Sequence, residues 1–524
     1  MEDGSGIQKA AVVLGDYQKT ALLEPGESQV VTLSLRPQKM ASYDEGYYTE
    51  NGSYVLEAGD YQISLRRNAH TVYQDYAYPM HLALTLVYSD TAKADFSKEV
   101  LCLGQRDGDR AQVHNLFNAI AGDVNYLNRE TWEITPGSSR EASEEQLTAF
   151  REARELNEEF INSEDTPPIM GKVTASQRLK FSDMIGKAYD DPAWEDLLNQ
   201  LSWRDMVTML GVNGWGSSPV KSIQMPQIYD MDGPSAISYI LDIFFPGRLT
   251  YKSVCYPSEA VIASGWNAEL AEEFGRAISQ EGKAFGVSGW YAPGVNIHRN
   301  PFAGRNFEYY SEDPLLSGMT ARAVMEGCSE NGMYCYIKHF ALNEMETNRH
   351  YGVCTWASEQ SMREIYLRAF EIPLKSRNAT AVMSSYNNLG TTWAGACRPL
   401  LTNLLRQEWG FQGIVLTDNF EDHGFMDVET ALAAGGTSLL YNGLAGTNSM
   451  KRLKATASGQ QLVRNAAHQY LYTVVNSTAQ EAAYQLPLWR KIAAIVSVIL
   501  FLCGIAMITG LPGGRKRGHN RSAN

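Results

Sequence analysis

Several features that would place the protein in common classes are missing from its 524 residues. The seven cysteines are an odd number, are widely spaced and include no Cys-X-X-Cys pair, which argues against a disulfide framework and a zinc ribbon. With 45 Lys and Arg against 59 Asp and Glu, the formal charge is −14, so nucleic acid is not an expected partner. The N-terminal MEDGSGIQKA has neither a charged n-region nor an apolar core, and we expect no signal peptide.

Sequence signatures of several enzyme classes are absent as well. There is no HExxH, no P-loop and no GxSxG nucleophile elbow. The histidines that stand near other polar motifs do not have the spacing of metal ligands: His298, His339, His350 and His423. We therefore expect neither a metal nor an organic cofactor.

The chain does have the composition of a folded protein. Hydrophobic residues make up 44% of it and charged residues 20%, which excludes a disordered or collagen-like chain. At about 150 residues per domain, its length predicts about three domains, or one barrel with attachments.

The first 67 residues contain the alternation of half-buried strands. Apolar and polar residues alternate in 26–36 and again in 60–66, and turn sequences such as Asn51-Gly52 separate the two segments. We interpret 1–67 as part of a small antiparallel β sandwich, because about four strands can be placed where a complete sandwich needs about seven.

The middle of the chain predicts a barrel. Residues 68–190 have a weaker pattern and are interpreted as a linker and helical region, whereas in 191–480 short apolar runs alternate with helical stretches. The seven candidate strands are 227–231, 261–265, 290–296, 335–340, 380–386, 413–417 and 437–441. This α/β pattern favours a TIM-like (β/α) barrel. A doubly wound open sheet is the alternative, although no GxGxxG follows the first strand.

An uncharged apolar run lies near the C-terminus. Residues 492–511 would be about 30 Å long as a helix, which matches the core of a bilayer. We predict a transmembrane helix there rather than a buried core helix, followed by a basic tail at 512–524. Because basic residues concentrate after the run, we expect a single-pass membrane protein with a cytoplasmic tail and an extracellular barrel.

Polar residues stand where the apolar runs of the predicted barrel end. They are Asp232, Arg305, Lys338, His339, Tyr386 and Asp418. Each of them alone is weak evidence for a site. A single Asp after a strand is more often a helix N-cap, and a single His next to Phe is more often a buried core histidine. Together they provide carboxylates, cations and a hydroxyl group, which suit a site that binds the hydroxyl groups of a sugar while one carboxylate faces the anomeric carbon.

Longer motifs surround these residues. They are Met231-Asp-Gly-Pro234, Gly294-Val-Asn-Ile-His-Arg-Asn-Pro301, Gly304-Arg-Asn-Phe-Glu-Tyr309 with Ser311-Glu-Asp-Pro314, Lys338-His-Phe-Ala341, and Glu408-Trp-Gly-Phe-Gln-Gly413 leading to Asp418. In this order and spacing they resemble glycoside hydrolase family 3, in the bacterial β-glucosidase branch with reversed domain order. The resemblance covers about 1–67, as the fibronectin type III-like domain of that family, and about 190–475, as its barrel.

The resemblance implies a retaining, exo-acting hydrolase of neutral β-glucosides or oligosaccharides. Asp418 matches the nucleophile, whose carboxylate forms a covalent glycosyl-enzyme. Four residues match those that hold the sugar where cleavage occurs: Asp232, Arg305, Lys338 and His339. Tyr386 matches a residue beside the nucleophile. The sequence ALNEMETNRH after the Lys-His pair does not match the branch that cleaves N-acetylglucosaminides.

Three departures from the family pattern accompany the resemblance. Asn419 occupies a position where the family commonly has Trp, and Met345 replaces a usual Gln. The family branch also has an α/β sandwich domain that supplies a general acid/base glutamate, and we expect no such domain within these 524 residues. Glutamates near the motifs are interpreted as structural: Glu308, Glu312, Glu346 and Glu421.

These departures lead to two alternative expectations for function. The first is an N-terminally truncated, membrane-anchored, exo-acting β-glucosidase whose acid/base domain resides on a separate chain or was lost by truncation of the reading frame. The second is a catalytically impaired, membrane-anchored remnant that only binds sugar. A membrane is accordingly an expected partner of the chain in both.

Overall fold

A computed structural model describes residues 6–96, 98–118, 142–155, 166–172, 178–211, 215–238, 253–420, 424–440, 450–481 and 488–509. Its N-terminal part is a small β domain. Four strands form a sheet in the order β1 (Ser42–Asp44), β2 (Ser53–Leu56), β5 (Thr85–Val87) and β6 (Val100–Cys102), with only β5 and β6 parallel. Strands β3 (Gly59–Arg66) and β4 (Val72–Leu82) form a separate antiparallel hairpin.

The prediction of a strand at 60–66 is confirmed, whereas that at 26–36 is wrong. The latter segment has no strand pairing, and its apolar residues Val30 and Leu33 are exposed. Its Ser34 amide instead donates to the side chain of Asp16 at 2.7 Å. Alternation alone does not make a strand, because the backbone groups also need a partner ladder. Strands continue past the predicted boundary at residue 67, as far as Cys102.

The larger part of the chain is built around a seven-stranded sheet. Its strands are β7 (Gly216–Ser217), β8 (Ile228–Met231), β9 (Gly289–Trp290), β10 (Tyr334–Phe340), β12 (Ala381–Ser384), β15 (Ile414–Asn419) and β16 (Ser438–Leu440). They lie side by side in chain order, and all adjacent pairs are parallel except β7 and β8. A doubly wound sheet would reverse its strand order, so this order supports the barrel. Three short strands pair separately: β11 (Cys354–Thr355), β13 (Asn388–Leu389) and β14 (Thr392–Trp393).

Most predicted barrel strands are confirmed, but 261–265 is not a strand. The helix Glu259–Ser264 occupies this position and buries Ile262 and Ala263. Such a short apolar run fits a buried helix as well as a strand, so periodicity could not separate the two. The last residue of the predicted strand 437–441 lies outside the described residues.

Helices occur along the described chain, and several of them pack against the seven-stranded sheet. In chain order they are α1 (Pro37–Met40), α2 (Glu144–Glu152), α3 (Ala193–Asn199), α4 (Trp203–Gly211), α5 (Glu259–Ser264), α6 (Ala268–Phe285), α7 (Pro314–Ser329), α8 (Glu359–Ser361), α9 (Arg368–Leu374), α10 (Val428–Ala433), α11 (Lys451–Ala455), α12 (Ala457–Val475) and α13 (Leu488–Thr509), with π-helical segments at Met362–Tyr366 and Pro399–Glu408. Val382 packs in a core cluster with residues of α6, α7 and α9, whereas its neighbour Met383 packs with residues of α4 and α12. Helix α4 contacts both edge strands, β7 and β16, and so bridges the two edges of the curved sheet.

The predicted membrane span over 492–511 is corrected by the structure. A span needs about 20 consecutive apolar residues. Residues 510 and 511 lie outside the described residues, as does the tail at 512–524. Within the predicted span, side chains are described without interruption only over 495–505. Within the described part of the chain, none of the helices has both the length and the hydropathy required to cross a membrane. The single-pass topology and the localisation derived from it are therefore wrong.

Candidate active site

The nucleophile predicted from the sequence lies at the carboxyl end of a barrel strand. Asp418 is the penultimate residue of β15, and its side chain is 10% exposed. The backbone amide of Asn419 donates to Oδ1 of Asp418 at 2.7 Å. Its Oδ2 is buried and accepts no hydrogen bond from any described residue. Two cationic or N–H groups nevertheless face this oxygen, with Nε2 of His339 at 3.7 Å and Nη1 of Arg349 at 3.8 Å.

A second group of charges lies at the ends of β8 and β10. The Nζ of Lys338 donates to Oδ1 of Asp232 at 3.1 Å and lies 3.7 Å from Oε2 of Glu308. The guanidinium of Arg305 forms an ion pair with Glu308 and lies 3.6 Å from Oε1 of Glu346. Cations and carboxylates therefore alternate across the site, and each buried charge has an opposite charge next to it.

The pKa values of Glu308 and Lys338 follow from this alternation. Burial by itself raises the pKa of Glu308, but Lys338 and Arg305 outweigh burial and bring the pKa below its ordinary value. Burial likewise lowers the pKa of Lys338, but Asp232 and Glu308 outweigh burial and raise it above its ordinary value. Both groups are therefore charged at neutral pH.

His339 is held in one orientation and kept neutral. Burial, together with the positive charges of Arg305 and Lys338, takes the pKa of His339 well below its ordinary value. The hydroxyl of Tyr309 lies 3.1 Å from Nδ1 of His339, and the amide of Asn343 donates to the same hydroxyl oxygen. The phenolic proton is then available to Nδ1, so that Nε2 carries the ring proton toward Asp418.

The backbone of His339 is fixed by a buried network. Its N–H donates to Oδ1 of Asn296 at 2.7 Å, and Nδ2 of Asn296 donates to its carbonyl at 3.1 Å. The same Nδ2 lies 3.2 Å from Oε1 of Glu344. Burial raises the pKa of Glu344 to about 7, although Asn296 and the Ile297 amide oppose this effect. A rigid scaffold thus supports the histidine.

Tyr386 supports the backbone beside the nucleophile. Its hydroxyl donates to the carbonyl of Asn419. The guanidinium of Arg349 lies over its ring, 4.6 Å from the centroid, and Nε of Arg349 forms an ion pair with Glu346 at 2.9 Å. Arg349 was not among the residues predicted from the sequence, although a cation in the loop that follows β10 was a usable signal.

The structure brings the predicted site residues to one edge of the sheet. Asp232, Arg305 and Lys338 share one charge network, and His339, Tyr386 and Asp418 lie at its other end. Of the glutamates near the motifs, Glu308 and Glu346 lie in the site, Glu312 is exposed, and Glu421 lies outside the described residues. No group of three or more His, Cys, Asp or Glu side chains in the described ranges is placed to hold a metal ion.

Charged side chains meet at the carboxyl ends of the parallel strands, where barrel enzymes have their active sites, and the combination of carboxylates with hydroxyl-binding groups suits a glycoside hydrolase. Comparison with known families agrees: residues 246–464 match the glycosyl hydrolase family 3 N-terminal domain, and residues 2–69 match a fibronectin type III-like domain. The matched part of the chain, residues 246–464, is assigned to glycoside hydrolase family 3. The resemblance predicted from the motifs is therefore confirmed, as is the combination of a barrel and a fibronectin type III-like domain.

Named relatives agree with this assignment. A β-glucosidase A of Butyrivibrio fibrisolvens is 32% identical over 422 residues, which are 80% of this chain and 48% of the relative. A β-glucosidase of Ruminococcus albus is 29% identical over 80% of this chain and 41% of its own length. A solved β-glucosidase of Paenibacillus barengoltzii superposes with a TM-score of 0.65 and 28% identity, covering 91% of this chain and 51% of that one. The chain thus spans about half the length of these relatives.

Proposed function

We propose that the chain is the catalytic barrel of a retaining, exo-acting β-glucosidase, with Asp418 as its nucleophile. One observation carries the proposal: Oδ2 of Asp418 is buried, accepts no hydrogen bond within the described residues, and faces N–H groups of His339 and Arg349. A buried carboxylate oxygen normally has a partner, and one without a partner is suited to bond with a substrate. A merely structural helix cap would use its oxygens on backbone amides.

The first chemical step forms an ester. Oδ2 of Asp418 attacks the anomeric carbon of a β-glucoside, and the bond from that carbon to the aglycone oxygen breaks. The leaving oxygen takes a proton from a general acid. Water then attacks the same carbon while a general base takes a proton from the water. The bond between that carbon and Oδ2 of Asp418 breaks, which frees the sugar and restores the carboxylate. The configuration at the anomeric carbon is inverted twice and therefore retained.

The other site residues hold the sugar in this proposal. Lys338 and Arg305 donate to hydroxyl groups of the ring, and Asp232, whose side chain is 35% exposed, accepts from one of them. The neutral His339 donates through Nε2 without placing a positive charge on the ring. Neutral β-linked glucosides and oligosaccharides fit this set, since the charges of Lys338, Arg305 and Asp232 are already paired within the site.

The general acid is proposed to come from outside the described residues. Glu308 is unsuited to the role because its pKa is lowered and it is paired with both Arg305 and Lys338. Glu346 is paired with Arg349 and accepts from Asn343 at 3.1 Å. A positioned acid contributes about 10² to 10⁴ in rate. The chain alone is therefore expected to be slow on unactivated glucosides such as cellobiose.

The second candidate function is sugar binding without turnover. It is favoured by the ion pairs of Glu308 and Glu346, because the chain could then bind glucose at the charge network but would have no acid among the described residues with which to expel an aglycone. Glucose binding that is measurable by calorimetry, with no covalent labelling, would support this candidate over the first.

Covalent trapping tests the proposed nucleophile. A 2-deoxy-2-fluoro-β-glucoside with a dinitrophenolate leaving group needs little help from an acid, so it should label the purified chain. Mass spectrometry of a digest should place the sugar on the peptide that contains Asp418. Asp418→Asn should abolish labelling and leave the circular dichroism spectrum unchanged. Labelling of another carboxylate, or equal labelling of the Asn variant, would refute the proposal.

A further inference from the structure

One helix that the sequence did not connect with chemistry lies against the active-site loops. Helix α2 begins after Ser143, whose side chain forms a reciprocal capping box with Gln146. Its charged face suggested only solvent exposure. The side chain of Phe150 in its last turn is nevertheless partly buried and packs against the core cluster that contains Tyr386, Trp393 and Phe425.

Phe150 also lies against the loop that carries Arg349. Gly352 has a φ of +85°, and a Cβ atom added there would lie 3.0 Å from Cζ of Phe150. The phenyl ring therefore occupies the space that a side chain at position 352 would need. Arg349, Tyr351 and Gly352 belong to one short helical turn and its cap. Contact with Gly352 thus limits the movement of the turn from which Arg349 reaches Asp418.

Arg154, two residues past the end of α2, extends the contact to a second segment. The guanidinium of Arg154 lies over the ring of Phe150, 4.1 Å from its centroid. Its Nη1 lies 3.5 Å from the carbonyl of Gly424, in the segment that follows β15. Phe150 and Arg154 therefore connect the Arg349–Gly352 turn, which follows β10, with Gly424, which follows β15 in the chain.

We propose that Phe150 is a positioning residue for Arg349, and that α2 acts on the site by holding the Arg349–Gly352 turn against the barrel. The consequence for rate rests on the proposed function, in which Arg349 faces the nucleophile. The contact itself does not. A displacement of about 1 Å in a site of this kind costs up to about 100-fold in rate, so we expect Phe150→Ala to slow labelling by roughly 10- to 100-fold.

The first arm of the test measures the contact without any chemistry. Amide hydrogen exchange of peptides that cover 349–354 should be faster in Phe150→Ala than in the unmodified chain. Glu145→Ala, an exposed position on the same helix, is the matched control and should not change this exchange. Phe150→Leu, which keeps most of the apolar contact, guards against a failure of the Ala variant to fold and should give an intermediate value. Unchanged exchange in both Phe150 variants overturns the proposal.

The second arm measures the route from Phe150 to the nucleophile. Labelling rates with the 2-fluoro glucoside are compared for Phe150→Ala, Arg349→Met and the double variant. If Phe150 acts through Arg349, its substitution has little further effect once Arg349 is gone. If the fold-changes in labelling rate of the two single variants multiply in the double variant, Phe150 does not act through Arg349, and this part of the proposal is overturned. Absence of labelling in the unmodified chain counts against the proposed function alone, because hydrogen exchange still decides whether α2 holds the turn.

Discussion

The Nη1 of Arg349 lies 3.8 Å from Oδ2 of Asp418, although 69 residues, 418 − 349, separate the two in the chain. The same guanidinium covers the ring of Tyr386 and is paired with Glu346 through Nε. A planar, permanently charged group held by Tyr386 and Glu346 provides a fixed positive field at the carboxylate. This relationship gives Arg349 a role that its position in the sequence did not reveal.

Arg349→Met is expected to slow covalent labelling by about 100-fold, because a preorganised charge beside the reacting carboxylate is removed. Arg349→Lys should lose less, since the charge remains but the planar fork that spans Glu346 and Tyr386 does not. Mass spectrometry of samples quenched at successive times gives the labelling rates of both variants. The exposed Arg377→Met serves as the control, and an equal loss in that variant would contradict the assignment.

Glu308→Gln should destabilise the fold by about 3 kcal/mol at neutral pH, because buried positive charges lose a partner. The folded pKa of Glu308 is below its ordinary value of 4.5, so its contribution is complete above that pH and is lost as pH falls through the folded pKa. The difference between variant and unmodified chain, measured by urea unfolding, should therefore shrink on acidification. The exposed Glu312→Gln should show no such difference; a gap that stays constant at every pH would contradict the expected linkage.

Glu344→Gln has the opposite expected sign. The pKa of the buried Glu344 is raised to about 7, so the folded state retains a proton that the unfolded state releases above about 4.5. The free energy of unfolding of the unmodified chain therefore falls as pH rises from about 4.5 to about 7, the range between the unfolded and folded pKa of Glu344. A glutamine at this position does not ionise, so the variant does not lose this stability. The variant should gain up to about 3 kcal/mol relative to the unmodified chain by neutral pH. Chemical unfolding at several pH values checks this, with Glu145→Gln as the exposed control; parallel curves would disprove it.

Tyr386→Phe removes the hydroxyl that donates to the carbonyl of Asn419. We expect a loss of about 1 kcal/mol in stability, as for a typical buried hydrogen bond. Labelling of Asp418 should also slow, because the backbone that presents the carboxylate is less constrained. Thermal unfolding and the trapping assay measure the two effects. Tyr76→Phe, on the exposed hairpin, should change neither value.

The barrel was predictable because its pattern is local. Each core strand is an apolar run followed by a polar residue, and β10 and β12 are buried along their whole length. Locality also explains the errors. The apolar run at 261–265 is compatible with a strand and with a helix. Apolar and polar residues alternate in 26–36 as in a strand, but this segment pairs with no strand among the described residues. Neither difference can be decided within a window of a few residues.

The sequence by itself determined the family resemblance, most of the barrel strands and the identity of the residues at their carboxyl ends. Only the tertiary structure decided which of these residues meet. Lys338 pairs with Asp232 across 106 residues, and Phe150 meets Gly352 from a segment whose charge pattern indicated nothing beyond solvent exposure. The physical reason is that periodicity records which face of an element is buried, whereas contacts between distant segments depend on how parallel strands and their loops align in three dimensions.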